Sequence, residues 1–554
     1  MFRKKSYAIL LSLVLLLTGI MVFPSFPTAA KEQIIPVKSS TVSGSGLPDM
    51  TSRFSYYYNP FGRYGSPMTS YLTLNDDETI TRVEADQNSS SIRIEKYDKN
   101  EGKLLSAKSL DMKSPWEGDA EPPLENPIFG GIFTGDTYNY VFLGQSNPKE
   151  DDAREIIRIV RYDKDWNVRN QYNMYQNNTY IPFEAGALRC TEYSNMLYVH
   201  TCHQMYKSED SLNHQANFRF TLNQETGEIP LSDQHYTISN EKTGYCSHSF
   251  NQFIAIQGQD IYTLDHGDAY PRGLQLAKYT GKAGGEMGLP DAYQTIVTFP
   301  GEIGDNDTCA AAGGLAVSNQ KCLIPYNQGA DKTAPRSIYL ATVDTATVGT
   351  GTPQITTLDT PADGTTFGVP MMTQIGAEKY LIMWQVYQKN GTVMKEAHYC
   401  VIDAAGGTVV PVGKINAFLA DCQLAVDDGG VVLWYTTGGT SGSLSAPTFY
   451  ELDPYNGKLK TTKCYSKKQL DTPALTMVYK KARTIKGTGP KGSVIHLQFK
   501  GETFTKVCKN GTFSIKLPKR YAKSLRFGAK MTIWASKDGY DDSEKTVAMV
   551  TTTH

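Results

Sequence analysis

The sequence predicts an all-β protein built from seven copies of a four-stranded unit, followed by a small β-sandwich. Three observations lead to this fold class. The 554 residues include 34 Tyr and 48 Gly, and this composition favours strands and tight turns over long helices. Strand-like segments recur with a period of about 59 residues. After about residue 473 the repeat gives way to a shorter pattern that is rich in Lys.

The first 30 residues have the pattern of a secretory signal peptide. A basic start at residues 3–5 precedes an uncharged run over residues 8–23, and small residues come before Ala30. We therefore expect cleavage after Ala30 and a secreted, extracellular or cell-surface location. An uncleaved anchor is the alternative, although the run is short for a helix that spans a bilayer. Residues 31–59 are predicted to form a lead-in, and no later segment predicts a membrane span.

The nine cysteines all follow the predicted cleavage site, and most of them lie inside apolar strand-like runs. An odd number leaves at least one cysteine unpaired within the chain. We expect buried free thiols, and one or more disulfides are the alternative because exported proteins can form them. No CxxC pair occurs, so the sequence predicts neither a cysteine-based zinc site nor a cofactor.

The third strand of each unit is the easiest element of the repeat to recognise. It ends in an aromatic or apolar residue that is followed by Asp or another turn-forming residue. Seven copies align, and they begin at Ser91, Ile156, Asn217, Gly273, Ser337, Ala397 and Thr448. A first strand with small residues and an apolar second strand precede each copy, and a turn and a fourth strand follow it.

Four strands per unit, repeated radially, is the arrangement of a β-propeller, which we place at residues 60–467. The small residues of the first strands suit the crowded position next to a central channel. At the level of this pattern the region resembles bacterial secreted seven-bladed propellers. The alternatives are a β-solenoid or several small sandwiches, and the period is long for the coil of a solenoid.

Residues 473–551 carry the pattern of a small β-sandwich. The segments "IKGTGPKGSVIHLQF", "KNGTFSIKLP" and "LRFGAKMTIWASKDGY" combine period-2 alternation with glycine turns. In these segments the region resembles bacterial Ig-like domains of secreted and surface proteins. The resemblance implies a spacer, an attachment module or a surface-binding module, and it implies no catalysis.

The net charge of −1 conceals two regions of opposite sign. Residues 471–554 hold 16 Lys and Arg against 6 Asp and Glu, a net charge of +10, and residues 31–470 carry −14. The basic region is suited to an anionic surface such as a cell-wall polymer, and a solvated face that keeps the domain soluble is the alternative. We expect no nucleic-acid partner, because the chain is predicted to be exported and carries no nucleic-acid-binding motif.

Polar residues concentrate where the second strands of the third and fourth units end, and these ends are expected on the ligand-binding face of a propeller. Six of the nine His residues belong to these two units. Together with polar and aromatic residues of later units they form the set of candidate ligand-binding residues. The set is His203, His248, Asn251, Asp265, His266, Asp268, Tyr270, Arg272, Gln328, Trp384 and Trp434.

Three interpretations of this set stay open at the level of sequence. In a binding pocket for a glycan or peptide, Tyr270, Trp384 and Trp434 would stack on sugar faces while the polar groups bind hydroxyls. In a catalytic or metal site, His and Asp would act as acid–base groups or ligands, although no matched spacing predicts a metal. In a structural cluster, the same groups would satisfy one another between sheets.

We predict that the protein binds an extracellular glycan or surface polymer through the loop face of the repeat domain. The alternative is an enzyme that degrades extracellular polysaccharide, with His248, Asp265, His266 and Arg272 as acid–base or anion-stabilising groups. A protein-interaction platform is a further alternative, since one fold can carry unrelated functions.

Overall fold

The computed structural model describes residues 68–86, 90–115, 121–230, 244–269, 272–420, 422–438, 444–464, 468–476, 478–479, 481–537 and 540–551. The predicted signal peptide and lead-in lie outside these residues. Almost every regular element in the described part is a strand. The exceptions are the short helix α1 (Lys519–Ala522) and one 3-10 turn (Thr345–Thr347).

Seven antiparallel sheets follow one another along the chain, and each contains the strands predicted for one repeat unit. In the first, second, fourth and seventh sheets, strands that are consecutive in the chain are neighbours. In the other three sheets the first two strands both pair with the strand that follows them. The first four sheets contain, in order, β1 (Ser70–Leu74), β2 (Thr79–Asp86), β3 (Ser91–Asp98) and β4 (Leu104–Asp111); β5 (Ile128–Thr134), β6 (Asn139–Gly144), β7 (Ile157–Tyr162) and β8 (Val168–Met174); β9 (Thr179–Pro182), β10 (Arg189–Tyr193), β11 (Met196–Lys207) and β12 (Asn213–Asn223); and β13 (Ser249–Gln257), β14 (Asp260–Gly267), β15 (Gly273–Tyr279) and β16 (Ala292–Thr298).

The remaining three sheets follow a short hairpin of β17 (Gly301–Glu302) and β18 (Asp305–Asn306). They contain β19 (Ala311–Ala312), β20 (Ala316–Val317), β21 (Lys321–Gln328), β22 (Ser337–Asp344) and β23 (Gln354–Asp359); β24 (Thr365–Phe367), β25 (Met371–Gly376), β26 (Lys379–Gln388), β27 (Val393–Asp403) and β28 (Thr408–Ile415); and β29 (Ala425–Val426), β30 (Val432–Gly438), β31 (Leu444–Asp453) and β32 (Lys458–Lys463).

The middle strands of these sheets are buried on both faces. All six residues of β6 are buried, and seven of the eight residues of β14 are buried. A strand covered on both faces needs apolar side chains in both directions, so such strands are continuous apolar runs in the sequence instead of alternating ones. The outer strand β28 has mostly exposed side chains, because no further strand or sheet covers it.

The first strands of the seven sheets contact one another in a closed series. Contacts run from β5 to β10, β13, β20, β25 and β29, and β29 contacts β1. The series is completed between β1 and β5, where the hydroxyl of Thr73 donates a hydrogen bond to that of Thr134 over 3.4 Å. Sheets arranged in this way around their first strands form a propeller-like body.

The first and last sheets meet at a buried ionic cluster. The Arg82 guanidinium lies 3.0 Å from the carboxylate of Glu84 and 2.7 Å from that of Glu95. Arg82 and Glu95 are cross-strand partners, and Glu84 lies two residues further along the same face. The hydroxyl of Tyr435, from the last sheet, donates to Glu84 over 3.5 Å, and its ring lies 5.1 Å from the Arg82 guanidinium. The hydroxyl of Tyr97 donates to Glu95. The cluster therefore joins two sheets that lie about 350 residues apart in the sequence.

The C-terminal region forms a separate sandwich with its own core. Sheets of three and four strands face each other across a cluster that includes Ile485, Leu497, Phe513 and Ile533. The strands are β33 (Lys468–Gln469), β34 (Ala474–Leu475), β35 (Thr484–Thr488), β36 (Val494–Phe499), β37 (Glu502–Val507), β38 (Thr512–Lys516), β39 (Lys530–Ser536), β40 (Tyr540–Asp541) and β41 (Thr546–Met549). The sheet orders are β34-β35-β38 and β37-β36-β39-β41, and β33 pairs with β40.

All nine cysteines are free thiols, and eight of them are buried. Burial raises the pKa of the thiols of Cys246 and Cys322, so they stay protonated at neutral pH. Within the described residues, no helix has both the length and the apolar character needed to cross a membrane.

Substituting Arg82→Met tests the closing cluster. The change removes the buried cation from Glu84 and leaves Glu95 with the 4.0 Å contact to Arg93 as its ion pair, so we expect the free energy of unfolding to fall by about 3–5 kcal/mol. Equilibrium urea denaturation measures this loss.

The matched control is Lys96→Met in the same sheet. Lys96 pairs with Asp77 over 2.7 Å, but both side chains are substantially exposed, so the loss should stay below about 1 kcal/mol. Equal losses in the two variants would contradict the special role of the buried cluster.

Candidate functional site

An open cavity of about 310 Å³ lies inside the closed series of first strands. We call it the axial cavity. Six of the seven sheets contribute to its wall, through their first strands or the residues that lead into them. The lining residues are Met68, Arg189, Cys190, Asn251, Phe253, Ile254, Ala312, Gly313, Gly314, Leu315, Val369, Pro370, Met371, Met372, Thr373, Gln423 and Leu424. This volume is at the lower end of those typical for small-molecule sites.

Most residues of the axial cavity have an apolar side chain or none, and four carry polar side chains, those of Arg189, Asn251, Thr373 and Gln423. Polar atoms nevertheless form the larger part of the accessible wall. Of the described lining residues, Arg189 is the only one with a permanent charge. Its guanidinium lies 5.2 Å from the centre of the Phe253 ring, and its Nη1 donates to the carbonyl of Leu188 over 3.2 Å. A cation held against an aromatic ring in a partly enclosed space attracts anions more strongly than it would in bulk water.

Asn251 presents an acceptor at the cavity wall. It lies in an irregular stretch of β13, where the register against β14 shifts between Phe250 and Phe253, and it has a left-handed backbone with a φ of 49°. Asn tolerates this conformation better than most residues do. Its Nδ2 donates to the carbonyl of Ala312 over 2.7 Å, whereas its buried Oδ1 has no hydrogen-bond partner within the described structure. A buried acceptor without a partner is costly to the folded state.

Asp265 lies in a buried network between the third and fourth sheets. Its Oδ1 lies 3.0 Å from Nε2 of His200 and accepts a hydrogen bond from Ser249 over 2.7 Å. Its Oδ2 accepts from Nδ2 of Asn217 over 2.9 Å. All of these groups are buried. The carboxylate of Asp265 therefore holds the two sheets together and has no exposed oxygen for a substrate.

His203 and His266 are buried among aromatic rings. The His203 ring stacks on Phe218 at 4.7 Å, and its Nδ1 lies 2.6 Å from the Thr179 hydroxyl. The His266 ring meets the edge of Phe299 at 5.2 Å. Burial lowers the pKa of His203 to about 3 and that of His266 to about 4. Both rings are therefore neutral at physiological pH.

Asp268, Arg272 and His248 come together at the loop ends of the fourth sheet. The Asp268 carboxylate accepts from Arg272 over 2.6 Å and from the amide of Gly304 over 2.7 Å. Burial raises its pKa to about 6, although Arg272 opposes the shift. His248 is half-buried, and its pKa is lowered by burial and then by the positive charges of His214 and Arg272. Tyr270, which the sequence places in this group, lies outside the described residues.

The predicted aromatic residues of later units lie in the core. Trp384 is fully buried, and its ring meets Phe367 and His398 edge-on. Trp434 is also buried and stacks on Tyr450 at 5.1 Å. In this structure neither indole has a ring face open to a sugar, so the predicted stacking role does not fit their positions. Gln328 is half-buried at the end of β21.

The structure thus separates the predicted set into groups. Only Asn251 belongs to the axial cavity, while His248, His266, Asp268 and Arg272 surround the loop ends of the fourth sheet. The ligand-binding roles of these residues stay predictions. Sequence reasoning missed Arg189, although the sequence carried a signal. Arg189 is a cation within a first strand, where the other copies are mostly small or apolar.

Among the described residues, no group of three or more His, Cys, Asp or Glu side chains is placed to hold a metal ion.

Comparisons with known proteins show no family for this chain. No family model matches it, and no curated protein matches it. Solved structures with partial similarity include a fungal alcohol oxidase in complex with copper, at 9% identity and a TM-score of 0.38 over 88% of this chain and 98% of that one. A puromycin-hydrolysing peptidase of Mycobacterium tuberculosis has 12% identity and a TM-score of 0.37, over 82% of this chain and 62% of that one. An α-L-arabinofuranosidase of Fusarium graminearum in complex with arabinobiose has 9% identity and a TM-score of 0.32, over 79% of this chain and 98% of that one. All three TM-scores are below 0.5, so these likenesses carry no argument about function.

The titrating groups of the fourth sheet predict an acid-sensitive stability. An unfolded His binds a proton near pH 6.5, but folded His266 does so only near pH 4, so its contribution to stability is lost as pH falls through this range. We expect His266→Leu to flatten the loss of stability between about pH 6.5 and 4.5 by roughly 2 kcal/mol. Urea unfolding of wild type and variant at several pH values measures this difference in the free energy of unfolding.

Asp268→Asn is the counterpart, with the opposite sign. The raised pKa of Asp268 means that the folded state binds its proton first, so this group adds stability as pH falls from about 6 towards 4. Removing this carboxyl group should make the free energy of unfolding fall more steeply as pH decreases. Parallel slopes in wild type and both variants would contradict these assignments.

Proposed function

We propose that the protein is an exported binding protein that holds an extracellular glycan with an acidic group in its axial cavity. The seven sheets are interpreted as the blades of a seven-bladed propeller, and the C-terminal sandwich as an Ig-like module. The proposal for the propeller rests on the closed series of first strands. The proposal for the module rests on its three-stranded and four-stranded sheets around one core.

The observation that carries the glycan proposal is the set of polar groups at the axial cavity. Arg189 offers a planar cation with several donors, which suits the carboxylate or sulfate of an acidic sugar. Asn251, Thr373 and Gln423 line the cavity and bring further polar groups to it. Apolar side chains such as Met371 and Leu424 complete the wall and would contact the C–H faces of a sugar ring.

The chemistry of the lining favours binding over hydrolysis. Glycoside hydrolysis generally uses two carboxyl groups on either side of the scissile bond. The described residues that line the axial cavity supply a guanidinium, amides and a hydroxyl, and they include no Asp or Glu.

Arg189→Met tests this proposal, because it removes the charge and keeps an unbranched apolar side chain. A charge-assisted hydrogen bond is worth enough for the affinity towards acidic oligosaccharides to fall by about 10- to 100-fold. A glycan array identifies the ligand, and isothermal titration calorimetry measures its affinity. Affinity for a neutral analogue should be weak in both proteins.

The control is Arg169→Met, which removes an exposed Arg paired with Asp163 on an outer strand of the second sheet. It should change affinity by less than about twofold, because Arg169 is not among the described residues that line the axial cavity. Undiminished binding by a folded Arg189→Met protein would overturn the proposed site. Failure of every acidic glycan to bind would overturn the proposed ligand class.

Hydrolysis of extracellular polysaccharide is the second candidate, and the raised pKa of Asp268 favours it. A carboxyl group with a pKa of about 6 can donate a proton near neutral pH. Because Asp268 is only 1% exposed and both its oxygens accept hydrogen bonds, a substrate would reach it only after Arg272 or Gly304 moves away. Release of reducing ends from polysaccharides tests the activity, with Asp268→Asn expected to lower kcat by about 100-fold or more. Polysaccharides that bind but release no reducing ends would leave binding as the function.

A further inference from the structure

The four-stranded sheet of the C-terminal sandwich has an outer face with apolar and basic side chains side by side. In β39, the buried residues Met531, Ile533 and Ala535 alternate with the outward residues Lys530, Thr532 and Trp534. The edge strand β41 adds Val547 and Met549, which pair with Thr532 and Lys530 and therefore point to the same side. We call this surface the outer face of the four-stranded sheet.

Four apolar side chains at this face are exposed, and three of them lie near one edge, whereas Val507, which is 47% exposed, lies on the opposite edge strand β37. Phe527 is 69% exposed, Met549 is 59% exposed and Val547 is 54% exposed. Phe527 lies in a tight turn, because the amide of Ala529 donates to the carbonyl of Arg526 and Gly528 has a φ of 76°. The amide of Gly528 donates to the carbonyl of Val550, which places the turn beside the end of β41. The three side chains therefore form one edge of the face instead of being scattered over the module.

Cations surround this apolar edge. Arg526 and Lys530 flank Phe527 and are exposed. The amino group of Lys545 lies 4.8 Å from the centre of the Trp534 ring, whose other neighbour is the His496 ring, stacked at 4.9 Å. Residues 526–549 hold four Lys and Arg against four Asp and Glu, among them Asp542 and Glu544, so the net charge of +10 over residues 471–554 comes from the rest of the module.

The opposite face of the module provides a contrast. The outward residues of the three-stranded sheet are exposed Thr, Ser and Lys, among them Lys486, Ser514 and Lys516. This second face has lysines but no exposed large apolar side chain on its described strands. Charge alone therefore does not distinguish the two faces. The apolar edge does.

We propose that the outer face of the four-stranded sheet binds the surface of a lipid bilayer that contains anionic phospholipids. Lys530, Lys545 and Arg526 would lie among the phosphates, while Phe527, Met549 and Val547 enter the boundary between headgroups and acyl chains. A hydrophilic anionic polymer would use the cations but gain nothing from the apolar residues, so the bilayer is the partner that uses both. The proposal is independent of the axial cavity.

Vesicle sedimentation tests the proposal on the chain from residue 31 onwards, the form expected after signal cleavage. Vesicles of phosphatidylglycerol and phosphatidylcholine should bind the protein, and vesicles of phosphatidylcholine alone should bind it much more weakly. Raising the salt concentration should weaken binding, because salt screens the attraction between cations and headgroups. Equal binding to both kinds of vesicle, or no binding to either, would overturn the proposal.

Two double variants separate the apolar contribution from the charge contribution. Phe527→Ser with Met549→Ser changes only exposed side chains, and it should lower binding to the anionic vesicles by about 10-fold or more. Lys530→Gln with Lys545→Gln should lower it by roughly fivefold per lysine and reduce the salt dependence. Thermal unfolding of each variant verifies that the module stays folded.

The matched control is Lys486→Gln with Lys516→Gln, which removes the same charge from the opposite face. Its binding to the vesicles should stay within about twofold of wild type. If both lysine double variants lose vesicle binding equally and the apolar double variant loses none, the bilayer proposal is overturned. That result would indicate that the net charge of the module binds a polyanion. Sedimentation velocity tests whether a second copy of this chain binds the face instead. A wild-type dimer that becomes monomeric in the Phe527→Ser, Met549→Ser variant, together with no binding to vesicles, would make the face a contact between copies of this chain.

Discussion

The contact between the first and last sheets is the constraint on which the repeat domain depends. Each of the seven sheets covers its inner strands with its two neighbours, so an open series would expose the apolar faces of β2 and β30. Closure brings together segments about 350 residues apart in the chain, and this costs conformational entropy. Packing of Tyr97 against Phe449 and the Arg82 cluster offset that cost. The charges of the cluster are matched within the first sheet, and the last sheet contributes Tyr435, whose hydroxyl and ring contact Glu84 and Arg82.

Closure also explains where polar side chains are found. Between the sheets there is little room for water, so polar groups on the inner strands must bind one another, as Asp265 does with His200, Ser249 and Asn217. Around the axis the first strands leave an open cavity, whose wall includes Asn251. The buried Oδ1 of Asn251 has no partner within the described structure, and the same holds for other buried acceptors away from the cavity, such as Oδ1 of Asn327. The same geometry therefore buries most of the polar residues and leaves a few at the centre.

The C-terminal sandwich is organised by different physical rules. It has its own core and a strong positive charge, whereas residues 31–470 are acidic. Its two outer faces differ in exposed apolar area, and not in the presence of lysine. Binding in the repeat domain and attachment through the sandwich can therefore change independently of each other, because the residues that would carry them belong to separate cores.

The sequence by itself determined the strands, because local patterns are sufficient for them. The period of about 59 residues placed the first, second and third strands of all seven units, and alternation placed the strands of the sandwich. It did not determine which polar residues face a cavity. Asp265 and His266 are adjacent, yet one pairs with His200 across a sheet interface and the other packs against Phe299. Trp384 and Trp434 resembled ligand platforms in sequence but fill cores, and Arg189 lines the axial cavity from a first strand. Only the tertiary structure decided these positions, because they depend on how the seven sheets close around one axis.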